Sequence, residues 1–589
     1  MSSEPRRART WPALLAGAIV LFALLLRLTG IDRQLPHRPE PDAFFVQSLQ
    51  EYEGDPTLIR SENYLTRYPS LIPRVLSFLP YPERPVRASG AGSEAVHLEA
   101  AAWPYLRVRT AIALVSTLGV ALLWFLARRL LSPAAALAAT LLLATSLLSI
   151  LFAQQGRPHT PQAVMALMTV LASLRVLERP TLVRIAVATL AGALAAACLQ
   201  NGLIALAPLS VAIFLGCRAA RGRGVLLPLA VAGLAALAVA AFAVPFYPGL
   251  PYIDSSGLHM GGPDTRAHNI PLDLGNAAKL VGLREAARVL WAHDPVLLVL
   301  GGAGALAGIV VLVRRWRTIG RARRLELLVL GAYVVPYLVV LAPNPFVFER
   351  FLLPMLPYLA LLAGWVVAGL ADFAQAHLRS RGLAAAAGAF VVALCLAPPA
   401  YVAVRYDQVA RAPDKLELAA QWIRANVDPA SVIATSPSTA LPLLLDPEFL
   451  RIDLEDRGAY TLAWLAYQGA LPAAPDPERR WRVRVFPSAF AVGKQSIDPA
   501  AVEPWLRDTG AEYLVMEASR YMRKLPPTAA LEDAGRRLGE LVYHSTGQMP
   551  SIPGLGSGEY QAASAFAFWL PRAEAFGPDI DIYRLHRER

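Results

Sequence analysis

Apolar stretches close to the roughly 20 residues that cross a bilayer recur along this chain from residue 11 to about residue 404 and then stop. They fall at about 11–28, 109–127, 134–153, 161–177, 184–200, 203–217, 225–246, 295–313, 325–342, 351–371 and 383–404, which predicts about eleven transmembrane helices. Composition agrees: 55% of the 589 residues are hydrophobic, and only 17% are charged against about 25% in a soluble chain. The mean hydropathy is +0.42. The chain reads as an α-helical polytopic membrane protein.

The basic start "PRRARTW" is also how a signal peptide begins. No small-x-small cleavage site follows "LFALLLRLTGIDRQLP", so the first helix is read as retained. Arginine placement then sets the orientation. With the N-terminus in the cytoplasm, the inner connections are "PRRAR", "ARR", "LRVLERPTLVR", "CRAARGRG", "RRWRTIGRARR" and "HLRSRG". The short outer connections "AQQGRPHTP", "LQNG" and "APNPFVFER" carry at most one arginine each. This bias accounts for the net charge of +12 and excludes a nucleic-acid partner. It also puts two longer segments, about 29–108 and 247–294, and the tail from 405 on the extracytoplasmic side.

The tail, 405–589, reads as a separate water-soluble α/β domain, and 1–404 as the membrane domain. The tail opens with "APDKLELAAQWIRANVDPAS", where Asp414 and Glu417 have capping-box spacing and Leu416, Ala419, Ala420 and Ile423 share one helical face. Six short runs then read as strands: "SVIATS", "FLRIDL", "WRVRVF", "AEYLVME", "ELVYHS" and "DIDIYRLH". The domain has no cysteine. Cys198, Cys217 and Cys395 all lie in or beside apolar stretches, where a thiol serves as a small hydrophobe.

Chemistry is therefore sought on the outer face. Directly after the first apolar stretch comes "HRPEPDAFFVQ", with Glu40 and Asp42 on either side of a proline. Asp42 has two readings: the cap of an amphipathic helix, or a general base taking a proton from an acceptor hydroxyl or amine. Glu40 reads equally as a solvated loop charge. Arg350, in "VFERFLLP", offers a planar fork of donors suited to phosphate oxygens, or else snorkels or pairs with Glu349. In "QGRPHTP", Arg157 is a second phosphate candidate, and His159 suits an anion, a metal or water. The loop "FYPGLPYIDSSGLHMGGPDTRAHN" holds Asp254, His259, Asp264 and His268, ligand types for a divalent metal ion at a spacing that matches no compact metal signature. The loop also reads as a lid over a cavity. No GxGxxG, P-loop or zinc-protease motif is present, which suits a donor carried on lipid.

The succession "PEPD", "GDPTLI", "YPSLIPRVLSF", "LFAQQGRPHTPQAVMAL" and "FERFLLPMLPYLALLAGW" resembles the GT-C superfamily of membrane glycosyltransferases. It is most similar to bacterial glycosyltransferase family 39, relatives of protein O-mannosyltransferases and of the aminoarabinose transferase that modifies lipid A. The resemblance implies an inverting transfer of sugar from a polyprenyl-phosphate carrier to an acceptor protein, lipid or glycan at the outer face of the bacterial cytoplasmic membrane. It implies Asp42 as the base, with Glu40 next, and Arg350, Arg157 and His159 around the donor phosphate. Two departures stand out: a proline separates the two acids, and His159 occupies a place where relatives carry an acid. A lipid or glycan transporter, or a GT-C scaffold without activity, remains open.

Overall fold

Each of the eleven apolar stretches becomes helix. The computed structural model describes residues 7–37, 46, 49–50, 69–79, 94–221, 224–247, 252–254, 257–259, 274–344, 347–436, 439–457, 463–469, 480–486, 499–517, 526–545 and 566–586. Its main helices are α1 (Arg7–Leu28), α2 (Glu94–Leu130), α3 (Pro133–Ala144), α4 (Leu147–Ala153), α5 (His159–Glu178), α6 (Leu182–Cys198), α7 (Leu206–Arg221), α8 (Leu226–Ala243), α9 (Val281–His293), α10 (Pro295–Arg315), α11 (Arg321–Leu341), α12 (Leu356–Ala376), α13 (Arg381–Ala410) and α14 (Lys415–Asn426). Among the described residues, nine helical segments are long and apolar enough to span a membrane. The stretch at 134–153 is a bent pair of helices, α3 followed by α4 at 51°, and α6 is a shorter apolar helix.

The described residues form two compact units. The first comprises Met1–Thr29, Leu65–Val75 and Arg109–Arg405. Many of its large apolar side chains face outward, among them Leu21 and Leu25 on α1, Leu306 and Ile309 on α10, and Val335 and Val339 on α11. In water such a surface drives aggregation; in hydrocarbon it is the ground state. Lipid tails give helices no hydrophobic reason to associate, so the packing relies on close backbone approach through small residues. At Gly364 of α12 a Cβ would lie 2.5 Å from Ala135 O and 2.6 Å from Ala139 N of α3, so only glycine permits this crossing. On its other side, α12 meets Gly301 and Gly304 of α10 through Leu359 and Leu362. Cys198 and Cys217 are buried, and none of the three cysteines forms a disulfide.

The second unit comprises Gly30–Tyr64, Leu76–Val108 and Tyr406–Arg589. The expected capping box forms: Asp414 accepts the Glu417 amide (2.8 Å), and Glu417 returns a bond to the Asp414 amide (3.2 Å). Asp414 Oδ2 also lies 2.8 Å from Nε2 of buried His37. Gly30, with φ +64°, packs where any Cβ would strike Ala410, and the Arg33 guanidinium sits over the Tyr406 ring. The residues after α1 are thus fastened along the chain that enters α14.

Two strands of the loop after α8, β1 (Tyr252–Asp254) and β2 (Gly257–His259), form an antiparallel ribbon. The tail supplies β3 (Val432–Thr435), β4 (Arg482–Val485), β5 (Tyr513–Glu517), β6 (Gly539–His544) and β7 (Ile580–Leu585), in the order β4-β3-β5-β7-β6. β4, β3 and β5 are parallel, and β7 runs antiparallel to both of its neighbours, β5 and β6. Strand alternation sorts the core into two layers. Ile433, Val515, Ile580 and Ile582 pack with Leu416, Ala419 and Ile423 of α14. Ala434, Leu514, Met516 and Tyr583 pack with Leu506 and Leu531 on the opposite face.

Five of the six strand readings hold. The sixth, "FLRIDL", lies instead in α15 (Pro447–Arg457). Pro447 opens that helix, Asp446 Oδ1 accepts the Glu448 amide and Asp446 O accepts the Leu450 amide. Proline at the first helical position after an aspartate starts a helix, and that start outweighs the strand preference of the six residues after it.

Candidate functional site

The first unit carries its polar groups around the break between α3 and α4. Ser146 caps α4, its Oγ accepting the Ser149 amide. A break between two helices leaves the carbonyls ending one helix and the amides starting the next without partners, and each such group is costly where water is excluded. Opposite charges meet the two ends. Arg27 of α1, fully buried, donates from Nε to Ser116 Oγ (2.8 Å) and from its two terminal nitrogens to Ala23 O (3.1 Å), Ala144 O (3.1 Å), Leu143 O (3.4 Å) and Ser149 Oγ (2.8 Å). A cation thus closes the negative end of α3. At the positive end of α4, Asp294 Oδ1 accepts the Leu147 amide (2.7 Å), and Oδ2 accepts the Leu148 amide (3.1 Å) and the Ser146 hydroxyl (2.9 Å).

His293 ends α9 and Asp294 follows it, both before the apolar span that α10 forms, Pro295–Arg315. Burial raises the Asp294 carboxyl to about 6, against the lowering effect of its bonds to Leu148, Ser146 and Leu147. Burial also lowers His293 to about 4, opposed by its bond to Val289 O.

From α4 the chain turns through Gln154, whose Nε2 donates to Leu26 O (3.2 Å) and Thr29 O (2.7 Å), and delivers Gln155, Arg157 and His159. The Thr160 hydroxyl donates back to Phe152 O (3.0 Å). Arg157 and His159 are buried, at 1% and 4% exposure. The 3-10 turn Glu349–Met355, leading into α12, brings Glu349 and Arg350 to the same place. Arg350 and Arg157 are both near enough to act electrostatically on His159 and on Glu349. The His159 and Phe351 ring centroids are 6.2 Å apart, and Arg350 is stacked 4.3 Å from the Phe348 centroid. The Tyr337 hydroxyl donates to Phe351 O (2.7 Å) and fixes the turn. Around these ions lie buried neutral groups: among the described residues both amide atoms of Gln155 and the hydroxyl of Tyr358 have no hydrogen-bond partner, and the Tyr333 hydroxyl has Gln162 within hydrogen-bonding reach. Among the described residues, the guanidiniums of Arg157 and Arg350 gather with the Glu349 carboxyl, on which Arg288 also acts, amid uncharged donors and acceptors in an apolar bundle, chemistry that suits an anion joined to a hydroxyl-rich group.

A small hollow opens beside it, lined by Ser116, Ser149 and Thr160 together with Leu143, Leu353 and Pro357. Neither Arg157 nor Arg350 lines it. Ser116 and Ser149, both in its lining, are the residues whose hydroxyls Arg27 holds.

Three of the site residues read from sequence, Arg157, His159 and Arg350, therefore meet. Glu40, Asp42, Asp264 and His268 lie outside the described residues, and of His259 only the backbone, ending β2, is described. Among the described residues, no group of three His, Cys, Asp or Glu side chains is arranged to hold a metal. Sequence reasoning missed Arg27 and Asp294. Arg27 had a signal, a charge inside an apolar stretch. Asp294 was hidden because "HDP" looks like the cap of α10, whereas its side chain makes no cap bond there and serves α4 instead.

The family model for dolichyl-phosphate-mannose-protein mannosyltransferase matches residues 104–247. No curated protein sequence matches the chain. Among solved structures, it is similar to the archaeal oligosaccharyltransferase AglB from Archaeoglobus fulgidus in complex with an inhibitory peptide and a dolichol-phosphate, at 14% identity and TM-score 0.50, covering 92% of this chain and 74% of that one. The apo form of the Archaeoglobus fulgidus oligosaccharyltransferase aligns at 13% identity and TM-score 0.49, covering 92% and 74%. ArnT from Cupriavidus metallidurans bound to undecaprenyl phosphate aligns at 15% and 0.43, covering 88% and 95%. The polytopic helical body, the small C-terminal sheet and the likeness to the first of these structures give the chain the GT-C fold, that of the membrane glycosyltransferases.

Proposed function

We propose that the protein is an inverting glycosyltransferase that moves a sugar from a polyprenyl-phosphate carrier to an acceptor at the outer face of the cytoplasmic membrane. The observation that carries this reading is the meeting of Arg157 and Arg350, from distant parts of the sequence, beside His159 inside an apolar bundle. Cations buried at a membrane protein's core are costly and mark a functional path by default. The dolichol-phosphate in the AglB complex supports a lipid phosphate as the anion.

In this scheme Asp42, with Glu40 as the alternative, accepts the proton of the acceptor O–H or N–H. The acceptor attacks the anomeric carbon from the face opposite the phosphate. As the new bond forms, the bond from that carbon to the phosphate oxygen breaks and its electron pair leaves with the polyprenyl phosphate. Arg157 and Arg350 stabilise the added negative charge, and neutral Gln155, Tyr333 and Tyr358 offer hydrogen bonds to sugar hydroxyls. A divalent ion at His259, Asp264 and His268 is a further component of the proposal, which a chelator titration of the transfer rate decides.

A transporter built on discontinuous helices uses the free ends of the break as ion or substrate sites. Here Arg27 and Asp294 occupy those ends, which favours transfer over transport.

The test is the full chain in nanodiscs, supplied with defined polyprenyl-phosphate sugars and membrane acceptors, with products read by mass spectrometry. Asp42→Asn is expected to lower kcat by about 10²- to 10⁴-fold without unfolding the protein. Arg157→Gln and Arg350→Gln are expected to raise the donor KM. Undiminished transfer by Asp42→Asn and Glu40→Gln would remove the base assignment, and no transfer from any polyprenyl-phosphate sugar would remove the reading.

A further inference from the structure

Helix α4 is only seven residues long, yet it carries the chain to Arg157 and is pinned at both ends. Its N-terminus rests on Asp294 through two backbone amides and the Ser146 hydroxyl. Its far end is held by Gln154, gripping Leu26 O of α1 and Thr29 O just past its end, and by the bond from Thr160 to Phe152 O. Arg27 also holds the Ser149 hydroxyl in the first turn, but among these anchors it is the Asp294 carboxylate, at the start of α10, that bonds the leading amides of α4 and brings negative charge to its positive end. Asp294 is 5% exposed, and no element of the proposed reaction needs it in contact with substrate.

The lever is short and its output is sensitive. Seven residues at 1.5 Å each make α4 about 10 Å long, so a tilt of about 20° at the N-terminus moves the far end by about 4 Å. A misplacement of about 1 Å at a reacting or binding group is enough to cost up to about 10²-fold.

We infer that Asp294 is a positioning residue: by fixing the start of α4 it sets where the following turn presents Arg157 to the donor phosphate. This rests on the donor reading above and names a residue on which that reading depends. Asparagine at 294 keeps the shape but offers one acceptor oxygen instead of two, and it turns an N–H donor toward groups that are themselves donors.

The experiment measures binding of farnesyl phosphate, a short polyprenyl phosphate, to the full chain in nanodiscs. It compares wild type, Asp294→Asn, Arg157→Gln and the double variant, with Ser146→Ala as the milder lesion should Asp294→Asn fail to fold. The expected result is binding weaker by about tenfold or more in Asp294→Asn and by a fewfold in Ser146→Ala. Adding Asp294→Asn to Arg157→Gln is expected to give little further loss, because the aspartate acts through the arginine. A residue of merely structural importance would give losses that multiply. Wild-type binding with Asp294→Asn and Ser146→Ala unaffected, or multiplying losses, would overturn the inference alone. Failure of the wild type to bind farnesyl phosphate would overturn the donor reading and this inference with it.

Discussion

Replacing Arg27 with methionine tests the stitched break most directly. Methionine keeps the length and apolar stem of the side chain and removes the guanidinium. Four of the hydrogen bonds Arg27 donates are 3.1 Å or shorter, to Ser116 Oγ, Ala23 O, Ala144 O and Ser149 Oγ. Polar couplings inside membrane proteins average about 0.6 kcal/mol, whereas bonds to a charged donor in soluble proteins reach about 1.5 kcal/mol or more. Four such bonds therefore give a loss of about 2–6 kcal/mol. Two effects push the other way: the cation no longer has to be held out of water, and Ser116 can turn its hydroxyl to the carbonyl one helical turn back, as Thr117 does with Ala113 O. The loss is accordingly expected near the lower end, about 2–3 kcal/mol. Arg27→Lys, with a charge but a single nitrogen, is expected to lose about half as much. Reversible unfolding in mixed micelles measures these differences, and the combined variant Arg27→Met with Ser116→Ala and Ser149→Ala is expected to recover part of the loss by deleting the stranded hydroxyls. An Arg27→Met protein within about 0.5 kcal/mol of wild type would refute the claim that this side chain holds the two half-helices.

Gly364→Ala puts a methyl 2.5 Å from Ala135 O, so α12 and α3 must part; a loss of about 1–3 kcal/mol is expected in the same unfolding assay. Arg350→Lys keeps the charge but loses the planar fork and the stacking on Phe348, and is expected to raise the donor KM by about tenfold with a smaller change in kcat, whereas Arg350→Gln loses more. For pH, the folded Asp294 carboxyl is raised from 3.8 to about 6, so its stabilising contribution is present below pH 4 and lost as pH rises through 6; the two values differ by on the order of 3 kcal/mol. His293, lowered from 6.5 to about 4, acts oppositely and gains stability as pH rises from 4 to 6.5. The two nearly cancel in the wild type, so unfolding measured between pH 4.5 and 6.5 is expected to be flat, while Asp294→Asn is expected to grow more stable as pH rises.

How far the sequence could be read depended on where each feature's cause lay. Apolar length is a property of consecutive residues, and so the spans were legible, as were the capping box at Asp414 and the strands with alternating cores. The bend between α3 and α4 was not. Residues 134–153 read as one uninterrupted stretch, because Thr145 and Ser146 only permit a break, while the groups that make it tolerable, Arg27 and Asp294, stand more than a hundred residues away. In the site, Arg157, His159 and Arg350 were legible as charged or polar residues at the edges of apolar stretches. Their meeting was not, since nothing local ties the start of α5 to the turn before α12. The tyrosines Tyr333 and Tyr358 looked like ordinary span residues, and only the burial of their hydroxyls beside the ions sets them apart.

The sheet of the second unit has two rims, and each is guarded in its own way. β4 alternates Arg482 and Arg484 with buried Val483 and Val485, so its outward side carries positive charge; β6, at the other rim, has its pairing interrupted between Leu541 and Tyr543. A strand from another molecule approaching either border meets repulsion or a mismatched ladder. Copies crowded together on one membrane can therefore keep their sheets from fusing into fibres.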